Sequence, residues 1–146
     1  MARQELTYDV IVAVPAVAVL VLVSIEDLRR RIIPNRVILP AWAFALAANT
    51  ALHPGVRWLA WSLGASVCFY MFARVTAGGL GIGDVKLVGF LGAILGPAVL
   101  PALVVGTGLG AVAAAVILLR RGPRARHLTF AYGPFLAAGG LAMLLF

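Results

Sequence analysis

Charge is what this sequence has least of. Only 12% of its 146 residues are Asp, Glu, Lys or Arg, and 63% are hydrophobic. A soluble domain carries about 25% charged residues, so this chain has too little polar surface to stay in water. Cysteine is almost absent: Cys68 stands alone inside an apolar run, which excludes a disulfide framework and any CxxC-type zinc site. Acids are scarce too, with five carboxylates against 12 Lys and Arg. The resulting +7 is not a nucleic-acid signature, because dense basic stripes with interleaved aromatics are missing and the cations fall in short bursts between apolar runs. The first residues, MARQELTYD, have no basic n-region, short apolar core or small-residue cleavage site, so the first apolar run is expected to be retained.

What is present is apolar length. The mean hydropathy is +1.06, and the apolar runs lie near residues 8–24, 37–52, 58–73, 87–119 and 128–146. A membrane crossing needs about 20 helical residues, and the fourth run would extend for about 50 Å at 1.5 Å per residue. Gly96-Pro97, followed by Pro101, is the expected turn, since proline disfavours helix at the residue before it. That split predicts an all-α membrane bundle of six transmembrane helices.

The cations test the count through the positive-inside rule. With the N-terminus outside, Arg29, Arg30, Arg31, Arg36, Arg74, Lys86, Arg120, Arg121, Arg124 and Arg126 all fall on the inner side, and only Arg3 and Arg57 fall outside. Five spans would move the last cluster outward. Both termini are therefore expected outside, and the inner arginines are expected to meet anionic lipid headgroups. Gly92/Gly96 and Gly106/Gly110 have the spacing of small residues where transmembrane helices pack closely. With no repeat and no linker, residues 1–146 read as one membrane-embedded domain.

Glu5 and Asp9 precede the first span and read as solvated end residues. Glu26 and Asp27 close it, in SIEDLRRRIIPN, and Asp84 opens the fourth, in GGLGIGDVK. Topology thus places Asp27 and Asp84 at one depth on one face. Carboxylates near hydrocarbon are costly and mark functional sites. Two that share a proton can activate a water and protonate a leaving amine. Asp27 could instead offset the neighbouring arginines. The glycines before Asp84 could cradle phosphate, but a carboxylate beside them and the absence of GKS or GKT oppose a nucleotide loop. Lys86 reads first as an interfacial lysine, and alternatively as a partner of Asp84 or a contact for an acidic substrate group.

Other chemistries are poorly supplied. There is no HExxH, and Ser24, Ser62 and Ser66 have no histidine at matching depth, since His53 and His127 both read as interfacial. Cys68 reads as packing, and Trp42, Trp58 and Trp61 as packing or interface anchors. No metal and no cofactor is called for.

Asp27 followed by IIPN at 32–35, GIGDVK at 81–86 and FAYGPFLAAG at 130–139 together resemble the prepilin peptidase (type IV leader peptidase) family of GxGD-type intramembrane aspartic proteases. The resemblance implies cleavage of a short basic leader from type IV prepilins or pilin-like subunits, on the cytoplasmic side. It makes Asp27 and Asp84 the catalytic pair, and it assigns Gly81, Gly83, Lys86, Pro34, Asn35, Gly133 and Pro134 to shaping the site. The sequence lacks the N-terminal segment with paired CxxC motifs that longer bacterial members associate with methylation, and so resembles the short peptidase core. Two readings compete. A small transporter or proton pathway using Asp84 would need a polar row through the membrane. A non-catalytic scaffold leaves the two aspartates unexplained.

Overall fold

The computed structural model describes residues 9–52, 55–75, 81–122 and 131–145. Among these residues the fold is all-helical. A π-helical turn, Asp9–Ala13, leads into α1 (Val14–Arg30), followed by α2 (Asn35–Leu52), α3 (Arg57–Val75), α4 (Ile82–Leu95), α5 (Val99–Arg121) and α6 (Gly133–Leu145). The expected turn at Gly96-Pro97 is a 3-10 segment, Gly96–Ala98, with Gly96 at φ +55°. That left-handed value favours glycine. Pro101 then falls in the first turn of α5, where its missing N–H costs no helical bond. Pro40 sits inside α2, which continues past it.

Side-chain contacts fix the direction of each helix. Lys86 Nζ donates to Asn35 Oδ1 at one end, and Asn49 Nδ2 donates to the Ala93 carbonyl at the other, so α2 and α4 run parallel. Ser62 Oγ donates to the Gly89 carbonyl, and Ser66 Oγ to Val85, which makes α3 antiparallel to α4. Gly106 lies against Leu136 and Gly110 against Tyr132, so α5 and α6 are antiparallel. Gly140 meets Leu91, while Gly83 and Gly133 both meet Ile33, so α6 runs parallel to α4. Val12 in the π-helical turn and Ala16 at the start of α1 share a cavity of about 90 Å³ with Phe90 and Ile94 near the end of α4. The six helices alternate in direction, and Asp9 and Leu145 end on the same side.

The core is built round α4, in which every residue from Leu87 through Leu95 is buried. A helix apolar on all sides belongs in an interior. The other helices turn large apolar side chains outward: Leu22, Leu28, Val67, Met71, Phe72, Val104, Val112 and Leu119 are all more than half exposed. A soluble monomer does not expose apolar surface on that scale, so the chain is a membrane protein. Three stretches are long and apolar enough to cross a bilayer, Ile11–Arg30, Arg57–Val75 and Ile82–Arg121, the last of them containing the 3-10 turn; Gly133–Leu145 is apolar but shorter. α2 falls outside this set, with Asn35 and Arg36 in its first turn and Asn49 and Thr50 in its last. α1 also runs on past the end of its apolar stretch at Ser24, which carries Asp27 into its final turn.

Both small-residue pairs seen in the sequence are close approaches. A methyl group on Gly92 would stand 2.8 Å from the Trp61 carbonyl oxygen, and one on Gly106 would stand 2.8 Å from that of Phe135. Gly139, which spacing did not single out, lets α6 lie directly on Ala102 and Gly106. Trp42 Nε1 donates to Ser62 Oγ at 2.7 Å, joining α2 to the α3–α4 contact.

Candidate active site

The ends of α1 and the beginnings of α2, α4 and α6 converge at one end of the bundle. Asp27 and Asp84 are both buried there, 5% and 8% exposed, and they lie close enough for the charge of one to act on the other. Glu26, one residue away, faces outward and pairs with Arg30 at 3.2 Å across one helical turn. The 100° step between adjacent helical residues separates a solvated acid from a buried one.

Each aspartate is held by a helix start. Asp84 is the third residue of α4, and its Oδ2 accepts the Gly81 N–H at 3.1 Å, so that an acid in the first turn satisfies the N-cap amide. Asp27 lies in the last turn of α1, and its Oδ2 accepts the Gly133 N–H at the start of α6, at 2.9 Å. Neither Oδ1 has a hydrogen-bond donor among the described residues. The backbone carbonyl of Asp27 accepts from Arg31 N–H at 2.8 Å, closing α1 with Arg31 at φ +53°.

The glycines around the pair have different reasons for being there. A methyl on Gly83 would stand 2.9 Å from Ile33 Cβ, and one on Gly133 would stand 2.7 Å from Asp27 Oδ2. At Gly81 the nearest atom, Asp84 Oδ2, is 3.6 Å away, which is ordinary contact. Pro34 immediately precedes α2, its carbonyl accepting from Val37 N–H and Ile38 N–H. Pro134 occupies the second position of α6, whose first turn is anchored by Phe135 N–H and Leu136 N–H on the Tyr132 carbonyl. Lys86, next to Asp84 in sequence, gives its ammonium to the Asn35 amide oxygen at 2.7 Å.

The structure thus brings Asp27, Asp84, Gly83 and Gly133 together, with Pro34, Asn35 and Lys86 at the same end. Two participants were missed in the sequence. Ile33 looked like one more apolar residue of IIPN, and the bond from Gly133 to Asp27 spans 106 positions that no local pattern connects. Gly78, Gly79, Arg124, Arg126, His53 and His127 lie outside the described residues. Among the described residues, no three His, Cys, Asp or Glu side chains gather as a metal-ligand set.

The model of the type IV leader peptidase family matches residues 15–119. The chain belongs to the type IV leader peptidase family. The match includes both aspartates and stops short of the YGPFL segment. Among curated proteins, the prepilin leader peptidase/N-methyltransferase of Bacillus subtilis is 34% identical over 99% of this chain and 59% of its own length. The protein of the same name from Escherichia coli is 31% identical over 83% of this chain and 56% of its own, and that of Burkholderia pseudomallei is 41% identical over 47% and 22%. The chain therefore spans little more than half the length of the first of these relatives. No solved structure gives a significant match. A peptidase family and an apolar all-helical bundle are thereby established.

Proposed function

We propose that this chain is a membrane aspartic endopeptidase that removes the N-terminal leader of type IV prepilins or pilin-like subunits at the cytoplasmic face. The observation that carries this reading is the pair Asp27 and Asp84, buried at one end of the bundle and each held through Oδ2 by a backbone N–H. In the mechanism, one carboxylate takes a proton from a water while the other, protonated, donates to the scissile carbonyl oxygen. The proton taken from water then passes to the leaving amine as the C–N bond breaks, the collapsing gem-diol returns a hydroxyl proton to the other carboxylate, and the dyad is again singly protonated. The backbone N–H bonds to both Oδ2 atoms fix the two side chains.

The charge distribution supports the orientation. Among the described residues, Arg29, Arg30, Arg31, Arg36, Arg74, Lys86, Arg120 and Arg121 lie at the end that holds the aspartates, and Arg57 lies at the other. By the positive-inside rule that end is cytoplasmic. All six helices would then span or enter the cell membrane, with both termini outside, and the arginines would meet anionic headgroups. α2 and α6 fall short of a full crossing by length or hydropathy and would be completed by flanking residues at the interface. The relatives' names join peptidase to N-methyltransferase; the aspartate pair supports the peptidase step, and it alone is proposed here. A proton-pathway reading would require polar side chains continuing through the membrane from Asp84, but α4 is apolar from Leu87 to Leu95.

The test is direct. Purified protein in lipid nanodiscs is incubated with full-length pilin-like subunits from the same genome, and the products are weighed by mass spectrometry. Loss of a short leader ending just ahead of the hydrophobic helix supports the proposal. Intact subunits throughout, with protein that remains folded, would contradict it.

A further inference from the structure

The two aspartates are carried on different helices, so something must set their separation. The short connector between α1 and α2 supplies a candidate. Ile33 is 6% exposed and belongs to the buried core, whereas its neighbour Ile32 is 67% exposed. From that position Ile33 stands beside both helix starts that hold the carboxylates. Its Cβ lies 2.9 Å, its Cγ1 3.3 Å and its Cδ1 3.4 Å from where a side chain on Gly83 would begin, one residue before Asp84. Its Cδ1 also lies 3.4 Å from the corresponding point on Gly133, whose N–H is bonded to Asp27. One branched side chain is thus wedged between the start of α4 and the start of α6, at two places where glycine removes every other side-chain atom.

We infer that Ile33 is a positioning residue, the spacer that sets the distance between Asp27 and Asp84. The inference rests on the reading of these two as a catalytic pair. The geometry favours a spacer over ordinary core filling. A β-branched side chain is stiff at χ1, and the two helix starts it faces present glycine backbone, which cannot yield by changing rotamer. The contact therefore transmits position from the connector to both helix starts. A core residue packed among flexible side chains would leave a cavity and a loss of stability when shortened, but would not move two backbones relative to each other. Acid and base must be aligned to within a fraction of an ångström, and a displacement near 1 Å costs on the order of 100-fold. Shortening Ile33 is accordingly expected to lower turnover more than substrate binding.

Two readouts test this. In the first, Ile33→Val, Ile33→Ala and the control Ile32→Ala are made in the full chain, and cleavage of a pilin-like subunit is followed as kcat and KM. Ile33→Val removes only Cδ1 and keeps the branch, so it reports even where Ile33→Ala folds poorly. Expected are a fall in kcat on the order of 10- to 100-fold for Ile33→Ala, a smaller fall for Ile33→Val, KM unchanged in both, and Ile32→Ala like the parent. The second readout needs no activity. With Cys68 replaced by serine, an Asp27→Cys, Asp84→Cys pair is oxidised with copper phenanthroline, and the disulfide rate is compared with and without Ile33→Val and Ile33→Ala. A severalfold change in that rate is expected on shortening Ile33, and none on Ile32→Ala. An unchanged crosslinking rate overturns the spacer even if cleavage falls, and so does unchanged kcat. Should Asp27→Asn and Asp84→Asn cleave normally, the peptidase reading fails, while the crosslinking result still decides whether Ile33 sets the spacing.

Discussion

At the scale of single residues, glycine positions that look equivalent in the sequence make different demands. Gly81 and Gly83 are both part of GIGD, yet a methyl on the first has room and a methyl on the second meets Ile33 at 2.9 Å. Gly81→Ala is expected to retain most cleavage, with a cost of about 1 kcal/mol or less in stability from the poorer N-cap. Gly83→Ala and Gly133→Ala should each lower cleavage by at least about tenfold, because their methyl groups displace Ile33 or the Asp27 carboxylate by amounts that matter to alignment. Initial rates at saturating substrate, normalised to folded protein, check this ordering. The same scale shows what the sequence could not convey. Asp27 and Asp84 were legible because a carboxylate at an apolar boundary is conspicuous, and Asn35, Pro34, Gly133 and Pro134 only because their motifs resembled a family. Lys86 was weighed as an interfacial lysine, and its bond to Asn35 depends on parallel packing that neither local segment encodes. Ile33 gave no signal, since isoleucine in an apolar chain is the expected background.

At the scale of elements, helix ends and close contacts explain most of the construction. Arg31 closes α1 at φ +53°, a value that glycine adopts freely and other residues at a cost. Arg31→Gly should relieve a left-handed cost of about 1–2 kcal/mol, partly offset by about 0.4–1 kcal/mol from the freer unfolded chain, and give an equal or higher midpoint in thermal denaturation in detergent. Glycines inside helices divide in the same way. Gly108 has nothing within 4 Å, so Gly108→Ala should be neutral or stabilising by up to about 1 kcal/mol. Gly139 lies directly on Ala102 and Gly106, so Gly139→Ala should push α5 from α6 and lower the melting midpoint. A Gly139→Ala midpoint at or above that of the parent would contradict the close packing. The break at Gly96-Pro97 could be read from sequence because backbone chemistry is local there. The start of α4 at Ile82, five residues ahead of the charge-free run, could not, because Asp84 and Lys86 are polar residues that the site brings into the helix.

At the scale of the whole molecule, the basic residues bear on which end faces the cytoplasm. The alternating helix directions place the described starts and ends consistently: the C-terminal ends of α1, α3 and α5 lie with the aspartates, and Leu145 lies at the far end with Asp9. Reporters fused after Arg31 or Arg121 are expected to read cytoplasmic, and one fused after Phe146 external. A cytoplasmic reading after Phe146 would contradict the six-helix crossing. The all-helical class and the alternation followed from apolar run lengths and the distribution of arginine, which respond to the bilayer as a solvent. The order of packing round α4 depended on Gly89, Gly92, Gly139 and Gly140 meeting particular partners, which composition does not specify. The most direct test of the central claim is cleavage of a full-length pilin-like subunit by purified Asp27→Asn and Asp84→Asn, with Glu26→Gln as the outward-facing control. If the two buried carboxylates form one catalytic unit, each asparagine variant should lose at least about 10³-fold in turnover while remaining as abundant and folded as the parent, and Glu26→Gln should cleave normally. Substantial cleavage by either asparagine variant would contradict the pair.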